Sequence, residues 1–218
     1  ETSWMPYQWS LNNVVMAEAA HTSLGFWQAN RAETAFQLFK GELLDSMFLG
    51  QCPGNVGATT SHDMARGEAQ RDFADAIGVN SRALIEGLFG VKPDALAGTL
   101  KIVPGFPSNW NFAKIRHPDF DFEFHREGSK DTYLIASKFP KPMSLDLQIA
   151  ALQTAPEITI NGKTADWRPL QNIFGTPRMA PSAPAAEKFE IANNLKGEPP
   201  SPKSAPRIAP ATPQPVAA

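Results

Sequence analysis

Residues 54–90 read GNVGATTSHDMARGEAQRDFADAIGVNSRALIEGLFG, and the rest of the chain is best interpreted outward from this stretch. Its first part is polar and interrupted by glycines, and it continues without a break into an apolar helical pattern. Binding and catalytic groups often lie on a loop that a rigid element positions. Within residues 63–75 the charged residues are, in chain order, Asp63, Arg66, Glu68, Arg71, Asp72 and Asp75. The stretch therefore predicts a functional loop seated on a helix.

Composition and charge exclude several classes of protein. The chain has 218 residues, 42% of them apolar and 19% charged, which is ordinary for a globular protein with one large or two small domains. Its net charge is -2 and no Lys and Arg cluster suits a phosphate backbone, which argues against nucleic acid as a partner. No apolar run approaches the roughly 20 residues that span a bilayer, and Glu1 opens no recognisable signal peptide. The single cysteine, Cys52, excludes an internal disulfide framework.

Two helices are predicted before the loop. The first runs from about residue 11 to 28, after Ser10 as its N-cap, and its apolar residues surround the whole circumference, as in a helix buried on most sides. Asn30 is predicted to cap the second helix together with Glu33, and the apolar residues of that helix recur on one face. The connection at 29–31 is short, so we expect an αα-hairpin.

A third helix is predicted from about Asp72 to Phe89, with a bend at Gly78. Two inner helices separated by one outer helix would run parallel to each other. Their N-terminal ends would then lie at one rim, where residues 9–13 and 63–75 face a common space and the helix dipoles add partial positive charge.

After Gly90 the apolar period changes from helical to alternating. Strands are predicted around 100–103, 120–125, 133–139, 145–149 and 158–160, the last closed by the Asn161-Gly162 turn, which favours an antiparallel sheet or sandwich. From Thr176 onward ten of the 20 prolines fall among alanine, serine and lysine, which predicts a disordered tail with local docking only at Phe189–Ile191.

Three phrases carry a resemblance to a known family: QWSLNNVVMAEAAHT at 8–22, RDFADAIGVNSRALIEGLFG at 71–90 and the Ile-Val-Pro-Gly-Phe-Pro phrase at 102–107. Together with EGLFGVKPDAL and TLKIVPGFPSNW, they resemble the C-terminal part of bacterial six-hairpin glycosidases, which include α-L-rhamnosidase-like enzymes. The resemblance covers about residues 4–170. It implies an α+β chain in which helical hairpins form part of an (α/α)6 barrel, followed by an antiparallel β-sandwich and the disordered proline-rich tail.

The resemblance also implies domain limits, a location and partners. Residues 1–95 would be barrel helices with an active-site loop at 49–71, residues 96–175 a β-sandwich-like domain, and residues 176–218 the tail. The protein would be periplasmic or secreted. A barrel needs twelve helices and this chain supplies about three, so it would be a fragment with exposed apolar helix faces. We therefore expect it to need the missing N-terminal half of the barrel, or self-association.

The implied activity is cleavage of glycosidic bonds by paired carboxyl groups, usually with inversion. The candidates are Glu68 first, then Asp72 and Asp63. Each of these residues has a structural alternative, because an acid near a helix start is a common dipole partner and can pair with Arg66 or Arg71. The wider alternatives are a non-catalytic carbohydrate-binding or scaffolding module, and an inactive fragment.

Further residues are interpreted as sugar-binding groups. An aromatic ring can stack on the C–H face of a pyranose, and amides, imidazoles and charged groups can hydrogen-bond its hydroxyls. Each has an alternative as core residue, internal hydrogen-bond partner or ion pair. No metal-ligand spacing or dinucleotide pattern occurs, so we expect no metal and no cofactor. The sugar-binding candidates are Trp9, Asn12, Asn13, His21, Arg66, Arg71 and Asp75.

Overall fold

A computed structural model describes residues 16–49, 54, 62–63, 68–69, 74–151, 157–170 and 177–196. Within these ranges the chain forms three α-helices, α1 (Met16–Gln28), α2 (Ala32–Leu44) and α3 (Ala74–Arg82). α2 continues into a π-helical segment at Asp45–Leu49, and α3 into another at Ala83–Leu88. In the part of the chain that the structure describes, no helix combines the length and apolar composition needed to span a bilayer.

The loop between α2 and α3 contains a short antiparallel pair, β1 (His62–Asp63) and β2 (Glu68–Ala69). Twelve strands follow α3. Their bounds are β3 Val91–Asp94, β4 Thr99–Ile102, β5 Phe112–Arg116, β6 Phe120–Glu127, β7 Lys130–Ser137, β8 Met143–Leu147, β9 Ile149–Ala150, β10 Glu157–Ile160, β11 Lys163–Thr164, β12 Trp167–Leu170, β13 Arg178–Ala186 and β14 Lys188–Asn194.

The twelve strands form two sheets. The first has the order β11-β10-β14-β7-β6-β5, and the second has the order β12-β13-β8-β4-β3 with β9 beside β13. All pairs are antiparallel except β4 and β8, which run parallel. Both sheets contribute buried apolar side chains to one continuous core, as in a β-sandwich.

The prediction of (α/α)6-barrel hairpins is wrong for the described residues. Helical residues such as Trp27, Phe39 and Ala83 belong to the same core cluster as the inner faces of the sheets. The helices therefore form a layer packed on a β-sandwich, and their apolar faces are not turned toward a helical barrel.

Helix α1 shows why the barrel prediction failed. Its buried residues Met16, Ala20, Leu24 and Trp27 recur at three or four positions, whereas the opposite side, with His21, is exposed. The sequence pattern of α1 was misinterpreted because its alanines and glycines occur on both sides of the helix. Such small residues are tolerated on an exposed face as well as on a buried one. The helix is amphipathic, with a single face against the core.

The αα-hairpin is confirmed, but its connection differs from the prediction. Asn30 has a φ of 59° and ends α1, with Arg31 N–H donating to the Phe26 carbonyl at 2.9 Å and Asn30 N–H to the Trp27 carbonyl at 3.0 Å. This is a Schellman C-cap with asparagine in the left-handed position. The N-cap of α2 is Arg31, which makes no side-chain capping bond, so the predicted capping box is wrong.

The predicted parallel packing of the first and third helices is confirmed for the described residues. Met16 and Ala17, at the start of α1, form a small buried cluster with Ala76 in the first turn of α3. The first turn of α3 therefore lies beside the first described turn of α1. Asn12 and Asn13, which were expected at the same rim, lie outside the described residues.

The strand predictions from alternation are confirmed. Phe120, Phe122 and Phe124 of β6 are buried while the intervening residues are half-buried. Asn161 and Gly162 both have positive φ, 50° and 74°, and join β10 to β11 as a hairpin. Such patterns are local, so neighbouring elements did not override them.

The prediction of a disordered tail from residue 176 is wrong for 178–194. β13 pairs with β8, β9 and β12, and β14 lies between β7 and β10 inside the first sheet. Phe189 and Ile191 are core residues, as the limited docking prediction suggested. Residues 197–218 lie outside the described part of the chain.

Trp27 anchors the helical layer to the sheets. Its Nε1 donates to the Gly105 carbonyl at 2.9 Å, and its ring meets Phe39 edge-on with centroids 5.5 Å apart. A Cβ at Gly87 would lie 2.3 Å from one side of the indole, and a Cβ at Gly105 would also lie 2.3 Å from it. Residues 86–90 and 102–107 thus form the socket for Trp27, which is a structural role.

Changing Gly87 to Ala is expected to lower the free energy of unfolding by about 1 to 3 kcal/mol, because the new methyl group overlaps the Trp27 ring. Gly41→Ala is the matched control. Gly41 lies in α2 with nothing within 4 Å of a built Cβ, so this change should raise stability by about 0.5 to 1 kcal/mol. Urea unfolding measures both. A Gly87→Ala protein as stable as Gly41→Ala would show that the indole is not held in this socket.

Large apolar side chains are exposed where α2 ends. Phe48 is 70% and Leu49 is 76% exposed, and Leu44 and Met47 are also exposed. Exposed apolar side chains grouped in this way are typical of surfaces that contact another protein chain. Self-association through it stays a prediction.

Candidate functional site

Most of the predicted site residues fall in parts of the chain that the structure does not describe. These are Trp9, Asn12, Asn13, Arg66, Arg71 and Asp72. His21 lies in the middle of α1 and Asp75 in the first turn of α3, and both are exposed. The backbone positions of Asp63 and Glu68 are described.

Asp63 and Glu68 are partners in the β1–β2 ladder. The register pairs His62 with Ala69 and Asp63 with Glu68. Opposing positions of an antiparallel pair are the closest between two strands, with Cα atoms about 4.5 to 5.5 Å apart. Two carboxyl-bearing residues, separated by four residues in sequence, therefore share one position in the ladder. The loop that carries them leads into α3 next to the start of α1.

Helix α2 carries a buried carboxyl group, that of Glu42. Glu42 is only 5% exposed and follows Ala35 and Phe39 on the face that packs against the core. Near its carboxyl group is the side chain of Asn80 on α3, whose Nδ2 donates to the Ala76 carbonyl at 3.0 Å. Neither Glu42 oxygen, nor Oδ1 of Asn80, has a hydrogen bond of good geometry to any described residue.

Burial raises the pKa of Glu42 from 4.5 to about 7, and the Asn80 side chain opposes part of that rise. A carboxyl group that keeps its proton near neutral pH has the protonation state of a general acid. Both oxygens are shielded from solvent, however, so Glu42 does not meet a substrate in this conformation. It is a proton-binding group inside the helical layer.

The pH dependence of stability should report on Glu42. Between pH 4.5 and 7 the folded protein holds this proton more tightly than the unfolded chain, so stability falls as pH rises through that window. The total is about 3 kcal/mol for a shift of this size. Glu42→Gln should remove this fall and make the protein more stable than the parent at pH 8. Glu18→Gln, an exposed change on α1, should leave the pH dependence as it is.

Thermal or urea unfolding at pH 5 and pH 8 measures this difference. The two proteins should be similar at pH 5, where the Glu42 carboxyl is neutral and close in size to an amide. An unchanged slope in Glu42→Gln would show that Glu42 ionises normally in the folded state.

A second site is an open groove of about 320 Å³ on the outer face of the first sheet. It lies on the side of the sheet opposite the core, across β5, β6, β7 and β14. Its lining is Lys114, Ile115, Asp121, Phe122, Glu123, Leu134, Ile135, Ala136, Asn161, Lys188, Phe189 and Glu190.

Ion pairs line one side of this groove. Glu123 on β6 is paired with Lys114 on β5, and its Oε1 lies 2.6 Å from Nε2 of His125. The hydrogen bond from Lys114, and then the one from His125, lower the pKa of Glu123 below its usual value. Asp121 binds Lys138 at 2.7 Å. The outer face of β5 and β6 is therefore a charged, ordered surface.

Sequence reasoning missed both Glu42 and this groove. The signal for Glu42 was present, because it lies three residues after Phe39 on the apolar face of an amphipathic helix. The outward residues of β6 were also visible from alternation. Which strands lie beside β6 depends on contacts between distant parts of the chain, so the groove was not predictable.

Among the described residues, no three His, Cys, Asp or Glu side chains are grouped so as to hold a metal ion. No protein-family model matches the chain, and no curated protein matches it either. A function is therefore inferred from the chemistry and positions of the described residues.

Proposed function

We propose that the chain is part of a glycoside hydrolase and that Asp63 and Glu68 are its carboxyl pair. The observation that supports this is their register, since the two residues stand opposite each other in the β1–β2 ladder. Both residues are also candidates on sequence grounds, because they belong to the acidic loop that precedes α3.

The chemistry needs two carboxyl groups in different protonation states. One protonates the leaving oxygen of the glycosidic bond, and the other acts as base toward water or as nucleophile. The proposal therefore requires one of the two groups to be protonated while the other is ionised, a difference that two carboxyl groups sharing a site can reach. We assign the acid role to Glu68 and the second role to Asp63.

This proposal does not depend on a helical barrel. It depends on a loop that presents two acids and on a folded support for that loop. The support is the meeting of α1 and α3 at their N-terminal turns, where Ala76 packs on Met16 and Ala17. Helix N-termini carry partial positive charge, which favours an ionised carboxylate and a polar substrate at this end.

The experiment is a cleavage assay with the full-length protein of which this chain is a part. A panel of nitrophenyl glycosides that includes the α-L-rhamnoside tests small substrates, and reducing-sugar release tests polysaccharides. We expect release from at least one member of the panel. The anomer first formed, followed by proton NMR, then separates inversion from retention. Absence of release from every substrate overturns the proposal.

A further inference from the structure

The outer face of the first sheet carries an exposed aromatic residue that is not part of the hydrophobic core. Phe112, at the start of β5, is 49% exposed. One of its neighbours is His125 on β6, with ring centroids 5.0 Å apart. A large aromatic side chain placed this way on a strand surface contributes little to the core, and it is available to a ligand.

The register places this aromatic pair directly beside the groove. Phe112 is opposite His125, and the next outward pair is Lys114 opposite Glu123, which lines the groove. Side chains two residues apart on a strand project from the same face. An apolar ring and an ordered ion pair therefore lie side by side along one line on the sheet.

The charges of the groove favour a neutral ligand. Its lining has two lysines, Lys114 and Lys188, against the three acids Asp121, Glu123 and Glu190. Without an excess of basic groups it is poorly suited to phosphates or nucleic acid. The exposed part of Leu134 adds an apolar floor between these charges. The volume of about 320 Å³ lies in the range of small-molecule sites.

A sugar has the chemistry that such a surface complements. One face of a pyranose ring presents C–H groups that pack on an aromatic ring, and its rim presents hydroxyl groups that bond to carboxylates and ammonium groups. The carboxylate of Glu123 is already fixed by Lys114 and His125, so it is preorganised as an acceptor.

We propose that this groove binds a neutral oligosaccharide, with Phe112 stacking on one sugar ring and the Lys114–Glu123 pair bonding the hydroxyls of the next. The choice of ligand class rests on the proposed function. The site itself is separate, because the groove lies on the first sheet, whereas β1 and β2 pair only with each other in a two-stranded sheet of their own. It would hold a glycan chain without taking part in its cleavage.

The test is a titration of the full chain with maltohexaose, cellohexaose, xylohexaose and mannohexaose, followed by calorimetry and by NMR chemical-shift changes. We expect binding of at least one of them, and at least a tenfold loss of affinity in Phe112→Ala. Leu96→Ala is the matched control, because Leu96 is fully exposed in the turn between β3 and β4 on the other sheet. It should bind as the parent does, and circular dichroism should show both variants folded.

Two results overturn the inference: binding of none of the four sugars, or equal affinity in Phe112→Ala and the parent. The outcome is independent of cleavage. If Glu68→Gln binds normally and no protein cleaves any glycoside, the hydrolase proposal fails and the groove stands. If cleavage occurs but Phe112→Ala binds normally, only the groove proposal fails.

Discussion

Replacing Glu68 by glutamine is expected to reduce kcat on the cleaved glycoside by about 100- to 10,000-fold, the range that general acid catalysis contributes. An amide has nearly the shape of the carboxyl group but cannot deliver a proton to the leaving oxygen. The loss should appear in kcat more than in KM, because the substrate-binding groups are unchanged. Steady-state kinetics on the nitrophenyl glycoside measure it.

Two companion variants sharpen this test. Asp63→Asn should cause a loss of similar size, and the double variant should be little worse than either alone, since paired groups act as a unit. Glu127→Gln removes the same charge at the exposed end of β6 and should keep full activity. Full activity in Glu68→Gln would remove Glu68 from the mechanism.

Replacing Arg178 by lysine is expected to lower the free energy of unfolding by about 3 kcal/mol. Arg178 is buried, and its guanidinium donates to Asn30 Oδ1 at 2.6 Å, to the Gln148 carbonyl at 2.7 Å and to the Pro104 carbonyl at 3.2 Å. An ammonium group keeps the charge but cannot reach three diverging acceptors. At least two bonds are lost, each worth about 1.5 kcal/mol.

Lysine is the informative substitution here. Burial lowers the pKa of Arg178 to about 10, which shows that the buried charge itself is costly. An apolar residue would remove the free-energy cost of burying a charge, and this gain would mask the loss of the hydrogen bonds. Lysine keeps the buried charge, so the measured change reports the lost bonds. Urea unfolding gives the difference. Arg168→Lys on the neighbouring strand β12, where the side chain is exposed, should change stability by less than about 0.5 kcal/mol.

Arg178 matters because it joins three parts of the fold. Its acceptors lie in the α1–α2 turn, in the chain after β4 and just after β8. A Lys variant with the stability of the parent would show that the Trp27 contacts alone hold the helices on the sheets.

The sequence located all three helices and five of the twelve strands that follow α3, but it assigned the helices to the wrong fold. Alternation in β6 and the Asn161-Gly162 turn were correct, because period and turn chemistry are properties of a few adjacent residues. β13 was missed because its residues are mostly alanine and proline. Its Pro184 falls where the pairing with β8 shifts register, at a position that does not need a backbone donor.

The candidate site was predictable only in part. The acids of the loop were recognisable as a group, but the register that pairs Asp63 with Glu68 was not. The raised pKa of Glu42 could not be predicted from the sequence, because it results from the packing of α2 beside α3. Asn80 of α3 lies 38 positions further along the chain.

The residues by themselves determined where the three helices and five of the strands lie, which faces of those strands are apolar, and which loop concentrates the acids. Each of these follows from local periodicity and from turn chemistry. Only the tertiary structure decided that the helices pack on a β-sandwich, that residues 178–194 complete both sheets, and that Arg178 and Trp27 hold the layers together. Those features depend on contacts between residues as much as 148 positions apart, and no local pattern records which distant surface a given apolar face will meet.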